Sequence, residues 1–522
     1  MRSADRSLAP WMLVGAVACV PLACSDEGAG DGPATTTTTG TAGAGGAGAG
    51  GGSAGAGGLG GGGSGQGGQV VVYPALPDDQ FASSHYEVVV WQDGQSHPSY
   101  VYQSDNDFDP AAWSRPLMSD ANHWTSFSFE GSVLVEVTML EGEAPSAATI
   151  RPQARQIAET IDGSRVSFTL DEPANVHVDI DGRDAHPLFV FANPLETDVP
   201  DPDDPNVIYF GPGVHDVGET HDALSDGAVV YIAGGAYVKG LLEGEINADP
   251  ITIRGRGILS GIDYAHVSGP GTWTNHLIEL PGSSLQTDLR IEGVTLTDGP
   301  KACIITRGKT SIDNVKLLGW HHNTDGITVG PDSTVTNSFF KVNDDVIKLY
   351  ASGMTVSHNV IWLQPTGAAF QLSWNLSQDV TGSSVSDIDV IRLDRDQGPP
   401  SETGYNNAIV GCRNLSGATT SQLVFDQIRM EQSPYQLFGI RIEDTMPGFD
   451  AGLGSVEELI FRSWSVPAPP LALSVFDGNG TQTGEIKNVT FDDVVIDGVT
   501  LSESNAASYL IRQGLTSGFQ YP

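Results

Sequence analysis

The sequence predicts an all-β protein: a right-handed parallel β-helix preceded by an antiparallel β-sandwich. Similar strand openings recur at Ile291-Glu292-Gly293-Val294, Ile312-Asp313-Asn314-Val315, Val335-Thr336-Asn337-Ser338 and Val356-Ser357-His358-Asn359, at intervals of 21, 23 and 21 residues. A period in the low twenties, rich in β-branched residues and without an amphipathic helical pattern, is that of stacked β-coils. Leucine-rich repeats share the period but need a leucine-asparagine consensus, which is absent. Looser openings follow at Val385, Leu423, Leu459 and Ile486, and the wider gaps leave room for long loops of the kind that rim clefts. Ahead of the repeats, short alternating runs such as Tyr86 to Trp91, Phe127 to Phe129, Val133 to Val137 and Val176 to Ile180 are punctuated by turn residues, the pattern of a sandwich.

In chain order, residues 1–24 read as an export signal. Arg2 and Arg6 precede an apolar stretch from Leu8 to about Ala23, short for a membrane span. Leu22-Ala23-Cys24 followed by Ser25-Asp26 resembles a bacterial lipoprotein cleavage site, with Cys24 the lipidated residue. Pro21 is atypical there, Ala16-Val17-Ala18-Cys19 is a competing match, and a plain secretory signal is the alternative. Residues 25–69 are almost all Gly, Ala, Thr and Ser and predict a flexible tether. Residues 70–205 are expected to form the sandwich, which the Pro- and Asp-rich run from Val199 to Pro205 closes. Residues 206–522 are expected to form the β-helix. The chain should therefore be exported, either held at the bacterial outer surface or periplasm as a lipoprotein or secreted.

A formal net charge of −39 over 522 residues argues against nucleic acid and anionic membrane surfaces as partners, and equally fits an adaptation for solubility or salt. It argues more weakly against a polyanionic substrate. Membrane contact is expected only through the lipid anchor, and the body is expected to be a monomer. Cys303 and Cys412 are two thiols that export would allow to pair but that sequence cannot place side by side. No cysteine-histidine spacing or calcium-type loop is evident, so neither metal nor cofactor is expected.

The chemistry concentrates in Asn323-Thr324-Asp325-Gly326 and Asn343-Asp344-Asp345, the latter leading into Val346 to Tyr350. Aligning Ile327 with Ile347 puts Asp325 opposite Asp345, with Asp344 beside them. Stacked coils about 4.8 Å apart would gather the three acids. A lone Asp-Asp pair in a loop is ordinarily a solvated turn. Two such runs in register are different, because like charges held together favour a retained proton. Hydrolysis of a glycosidic bond needs one protonated acid and one ionised carboxylate. The same register makes Thr328, Lys348 and Gln371 a ladder along the cleft floor. Trp320, Tyr350, Trp362 and Trp374 lie close in sequence and register as candidate sugar-stacking surfaces. Lys348, Gln371, Asn323 and Asn343 complete the candidate substrate-binding set, and His321 and His322 precede Asn323.

These runs, with Tyr209 to His215 and Val230 to Gly240, resemble the polygalacturonase clan of β-helical glycosidases. Within it they most resemble glycoside hydrolase family 49, the dextranases and isopullulanases. The resemblance covers roughly residues 75 to 520 and implies an inverting mechanism, with Asp344 as general acid and Asp325 and Asp345 positioning and activating water. Polygalacturonases carry a Gly-His-Gly about one coil after the acid pair and later an Arg-Ile-Lys that holds the uronate. Here the first place reads Gly367-Ala368-Ala369-Phe370-Gln371-Leu372 and the second Arg441-Ile442-Glu443. Glu443 would repel a uronate carboxylate, so a neutral α-glucan, specifically an α-1,6-linked dextran-like chain cut internally, is the expected substrate. The alternatives are hydrolysis of another polysaccharide (pectic, arabinan or pullulan-type) and a non-catalytic polysaccharide-binding β-helix.

The lipoprotein reading has a direct test. Cys24→Ser should release the protein from the membrane fraction or leave it unprocessed. Unchanged association, also after Cys19→Ser, would remove the anchor from the picture.

Overall fold

The computed structural model describes residues 68–77, 79–106, 119–218, 224–266, 274–321, 323–376, 378–394, 408–444, 451–480 and 483–522. The expected signal segment with Cys19 and Cys24, nearly all of the expected tether, and His322 lie outside the described residues. The chain folds as the predicted sandwich and parallel β-helix.

Two sheets make the sandwich. One joins Tyr86–Gln92, Gln95–Ser99, Val133–Met139, Glu159–Asp162 and Arg165–Leu170. The other joins Gln69–Val72, Val101–Asp105, Ala121–Glu130, Ala148–Arg151, Ala174–Ile180 and Leu188–Asn193. Alternation supplies the core: Val88, Val90, Val135, Val137, Phe127, Phe129, Val176 and Val190 all turn inward, as a period of two requires. One pair departs from the antiparallel expectation, since Leu188–Asn193 runs parallel to Ala121–Glu130.

From Val207 onward each coil contributes to three faces. Ile291, Ile312, Val335 and Val356 pair in sequence across neighbouring coils, as the repeat predicts, and all are fully buried. The chain bends between two of the faces at one left-handed residue per coil. Asn314, Asn337, His358 and Asp387 occupy this position with φ of 53°, 53°, 58° and 54°. Asn and Asp tolerate that region better than most residues, which explains their recurrence in the openings. The register of the later openings differs in part from the sequence reading. Leu423 does pair with Leu459, but Val385 pairs with Phe425 and Leu459 with Val489. Coils of unequal length blur the period there.

The third face is a sheet of ten short parallel strands, among them Ile278–Leu280, Ile304–Thr306, Ile327–Thr328, Ile347–Lys348, Phe370–Gln371, Ala408–Cys412, Gln436–Arg441 and Ser474–Asp477. This sheet floors the cleft. Cys303 and Cys412 are buried free thiols.

The sandwich packs on another face of the helix. Trp124, Phe189 and Phe191 meet Tyr237, Leu318, Phe339, Val360 and Trp362 in one buried cluster. Polar ties cross the same seam: Lys341 Nζ donates to Ser119 Oγ at 2.8 Å and Asn175 Nδ2 donates to the Asn337 carbonyl at 2.9 Å. Trp362 is therefore no sugar platform. It is fully buried, edge-on to His177 and Phe189, because its strand belongs to the face that the sandwich covers.

In the sandwich, His85, His123 and His186 bring ring nitrogens within 4.8 Å of one another. Ser83 Oγ accepts the backbone N–H groups of His85 and Tyr86 and lies 2.9 Å from His123 Nδ1. His123 Nε2 lies 3.3 Å from His186 Nδ1. Burial drives the His123 pKa down to about 3, so it stays neutral.

Removing the large ring at the seam should destabilise the fold. Trp362→Ala is expected to cost about 3–5 kcal/mol, the usual range for a buried aromatic. Chemical denaturation checks this, and a loss below about 1 kcal/mol would contradict the packing described.

Candidate active site

The acids lie at the corner where the strand Phe339–Val342 leaves the sandwich-facing sheet and the chain enters Ile347–Lys348 on the cleft sheet. Ile327 pairs with Ile347, and Thr328 with Lys348. The Gly326 N–H donates to the Asp345 carbonyl at 2.9 Å, so Asp325 and Asp345 are neighbours in one column. Ile278 pairs with Ile304 and Ile304 with Ile327, which extends the column back to His276. The ladder continues from Lys348 to Gln371.

Two glycines allow this stacking. A Cβ on Gly326 would lie 2.1 Å from the Val346 carbonyl oxygen. Gly367 has φ of 78°, and a Cβ there would lie 2.1 Å from the Asp344 carbonyl carbon and 2.3 Å from the Asp345 nitrogen. The coil after the acids thus presses bare backbone against the Asp344–Asp345 peptide.

Each carboxylate has a distinct setting. Asp325 is buried and ion-paired to the buried Lys348 ammonium. Asp345 is buried and accepts the Ala368 N–H at 3.0 Å, Gln371 Nε2 at 3.4 Å and Trp374 Nε1 at 3.0 Å. Asp344 is only half-buried, so it keeps access to the cleft. It accepts Asn323 Nδ2 at 3.2 Å and the Asp345 N–H at 2.9 Å.

The surroundings separate the acids' affinities for protons. The low-dielectric setting, then the charges of Asp325 and Asp345, hold Asp344 well above the usual carboxylate range, with Lys348 opposing. Burial raises Asp345 to about 6, and Lys348 and its hydrogen-bond donors restrain the rise. Asp344 therefore keeps a proton under conditions where Asp345 has lost its own, the division of labour that acid–base hydrolysis requires.

The other expected contacts divide. Lys348 serves Asp325, with its ammonium 5.8 Å from the centre of the half-buried Tyr350 ring. Trp374 and Trp320 are largely buried beside the acids, and both indole N–H groups are engaged. Trp374 donates to Asp345, and Trp320 donates to Asp298 at 3.3 Å. Two expectations of direct sugar contact are corrected. Asn343 is fully buried, with its amide spent on the Trp320 carbonyl and on Thr366. Gln371 is fully buried under Asp345. Both brace the turn that carries the acids, because buried amides must be paired within the protein.

Glu443 also differs from expectation. Arg413 Nη2 donates to both of its carboxylate oxygens at 2.8 Å, so Glu443 presents no bare charge to a substrate. The sequence reading missed Arg413, whose guanidinium lies 5.1 Å from the Trp374 ring centre. It also missed Asp298, which accepts Trp320 Nε1 and Ser260 Oγ and meets Ser104 of the sandwich. His276 was missed as well. Burial, then Lys348, Arg307 and Lys301, bring its pKa down to about 3. Register would have found His276 from its place two residues before Ile278; nothing local marks the other two.

The fold and the three clustered acids define a parallel β-helix with a cleft of the kind that carries acid–base chemistry. No protein-family model matches the chain. Its sequence is similar to a dextranase of Arthrobacter sp. (strain CB-8), 30% identical over 207 residues that cover 35% of this chain and 32% of that protein. It is also similar to an isopullulanase of Aspergillus niger, 24% identical over 454 residues covering 74% and 79% of the two chains. A dextranase of Talaromyces minioluteus is 25% identical over 441 residues, 65% and 71% of the two. The matched region spans about a third of the length of the Arthrobacter dextranases. Dex49A from Penicillium minioluteum shares the fold with a TM-score of 0.70 at 20% identity, covering 87% of this chain and 96% of that one. These relatives bear out the resemblance to glycoside hydrolase family 49 read from the motifs.

The protonation of Asp344 has a consequence for stability. A group whose folded pKa lies above its unfolded value stabilises the fold below the unfolded pKa. That contribution is lost as pH rises through the folded pKa. Asp344→Asn mimics the protonated side chain, so its stability should match the parent near pH 4 and exceed it increasingly towards alkaline pH. Thermal unfolding across pH checks this, and a constant difference would show that Asp344 is not held protonated.

Proposed function

We propose that the protein is an exported glycoside hydrolase that cleaves neutral α-glucan with inversion, most specifically the α-1,6 bonds of dextran-like chains. Asp344 is the general acid, and Asp325 and Asp345 position and activate water. The observation that carries the reading is the contrast within the triad: one half-buried, proton-retaining carboxyl beside two fully buried carboxylates, one paired with Lys348 and the other held by three donors. An acid that must reach a leaving oxygen needs access and a proton; carboxylates that act on water need charge and fixed orientation. The names of the sequence relatives support α-glucan as the substrate class. Neutral substrate also agrees with the missing uronate-binding lysine at Glu443, although Arg413 removes the repulsion first expected there. Lipid anchoring at Cys24, with the Gly-rich tether holding the body off a membrane, completes the proposal.

In the reaction, Asp344 gives its proton to the glycosidic oxygen as the bond breaks. A water held by Asp325 and Asp345 attacks the opposite face of the anomeric carbon, and one of them accepts its proton. The rate should follow a bell in pH. Activity falls as pH drops through about 6, where Asp345 takes up a proton, and falls again at alkaline pH as Asp344 loses its own.

A reducing-sugar assay across dextran, pullulan, polygalacturonate and arabinan is the primary test, with turnover expected on an α-glucan; higher turnover on polygalacturonate would overturn the substrate reading. Asp344→Asn should lower turnover on polymer by about 10²–10⁴-fold. Substrates with good leaving groups should partly rescue that variant, but neither Asp325→Asn nor Asp345→Asn. Proton NMR of the first product should show the anomer opposite to the bond cleaved. Retention, or a near-normal Asp344→Asn enzyme, would mean another residue is the acid.

A further inference from the structure

Among the described residues, His85, His123 and His186 are the one group of three metal-ligating side chains with ligand atoms within 4.8 Å of one another. We infer that this trio binds a divalent transition ion of the zinc class, which ties the two sheets of the sandwich together. The inference stands apart from the glucan reading. His85 immediately precedes the strand Tyr86–Gln92 of one sheet, His123 lies within Ala121–Glu130 of the other, and His186 precedes Leu188–Asn193 of that second sheet. The backbone brings them together. Leu188 pairs with His123, and the His123 N–H donates to the Pro187 carbonyl at 3.0 Å. Tyr86 Oη donates to the His186 carbonyl at 2.7 Å, which holds the start of the first sheet against the second. His123 and His186 are 63 residues apart in sequence, a separation no metal motif has, so the sequence predicted no metal here.

Two of the rings already hold a ligand spacing. His123 Nε2 and His186 Nδ1 are 3.3 Å apart. Two imidazole nitrogens at about 2.0–2.1 Å from one tetrahedral zinc ion are separated by about 3.3–3.4 Å. Ser83 Oγ, 2.9 Å from His123 Nδ1, holds the far side of the fully buried His123 ring, the outer contact by which a ligating imidazole is oriented. The His85 ring stacks on His186, with centres 3.8 Å apart and 23° between the planes. It must tilt about its own side-chain torsions to complete the trio. It has room to do so, since its side chain is 23% exposed. Its Nε2 lies 3.8 Å from Glu141 Oε2, and the Glu141 side chain is 63% exposed, so this carboxylate can follow the ring as a fourth ligand.

The donor set chooses the ion. Imidazole suits zinc, copper and nickel, whereas calcium and magnesium take oxygen ligands in larger number. The surrounding charge suits a cation, because Asp120, Asp105 and Glu141 all act on His186. Arg183, the cation that acts on neighbouring Tyr86, is occupied by Asp181 at 2.9 Å. The sandwich contains no cysteine, so no disulfide can bridge its sheets, and an ion held by both would serve in its place. The strand that carries His123 also sends Trp124 into the seam with the β-helix. The strand paired with it carries Ser104 to Asp298. The ion would therefore stiffen the side of the sandwich on which the β-helix leans.

The test uses the full chain without an affinity tag, stripped with a chelator and dialysed against Zn²⁺ alone. The parent should take up one tightly held ion per chain, and its thermal midpoint should rise with Zn²⁺ concentration, as a ligand of the folded state requires. His85→Ala and His186→Ala should each weaken that binding at least about 100-fold and abolish the midpoint shift, while Glu141→Gln should weaken it about tenfold. Co²⁺ in place of Zn²⁺ should give the intense visible absorption of a four-coordinate ion in the parent and not in the histidine variants, a signature that lost packing alone would not produce. Circular dichroism checks that the variants fold. His85→Ala, at a half-buried ring, keeps the test decisive if His186→Ala does not fold. Absence of stoichiometric Zn²⁺, or binding and a midpoint shift that survive His85→Ala, overturns the proposal. In the second case the ion sits on the acidic surface, and in either case the rings are joined by hydrogen bonds and stacking alone.

Discussion

One buried ammonium faces three acids in this cleft, and that imbalance organises the rest of the site. Lys348 neutralises Asp325. Two carboxyls remain side by side in a low-dielectric corner, where both cannot carry charge without large cost. Asp345 takes the share of stabilisation that the protein offers: a backbone N–H, an amide and an indole N–H. Asp344, with two donors and an opening to the cleft, keeps the proton. The different chemical character of neighbouring, identical side chains thus comes from where the donors are aimed.

Such a corner is expensive to hold, and the fold secures it from both sides. From below, bare backbone at Gly326 and Gly367 lets adjacent coils close on the acids. From behind, the sandwich supports the strand that delivers them. Lys341, two residues before Asn343, is tied to Ser119, and Asp298 links the sandwich's Ser104 to Trp320. Trp320 in turn accepts the Asn343 amide on its carbonyl. The sandwich is thereby part of the scaffold of the cleft, and side chains that resemble sugar contacts in sequence serve as its fasteners.

On the proposed reading, the cleft sheet also accounts for how one β-helix would serve a long polymer. Each coil advances a fixed strand spacing and presents the same few positions to the floor, so a chain lying along it meets a column of side chains at regular intervals. Thr328, Lys348 and Gln371 form part of that column near the acids, while Arg413, Arg441 and Asp477 occupy another farther along.

The sequence alone determined whatever depends on period and register. Ile291, Ile312, Val335 and Val356 specified the stack, and alignment of Ile327 with Ile347 was enough to bring Asp325, Asp344 and Asp345 together, because parallel coils repeat side-chain positions at a fixed spacing. The later coils were less legible, since insertions of unequal length moved Val385 opposite Phe425 and Leu459 opposite Val489. Only tertiary structure decided which face the sandwich covers, and so that Trp362 is core. Only it decided where the donors point, and so that Asn343 and Gln371 brace the acids while Trp374 bonds one of them. The partnership of Arg413 with Glu443 joins residues 30 apart in sequence, through loops whose lengths follow no repeat. Burial and donor direction are set by elements that meet across the fold, and no local pattern encodes them.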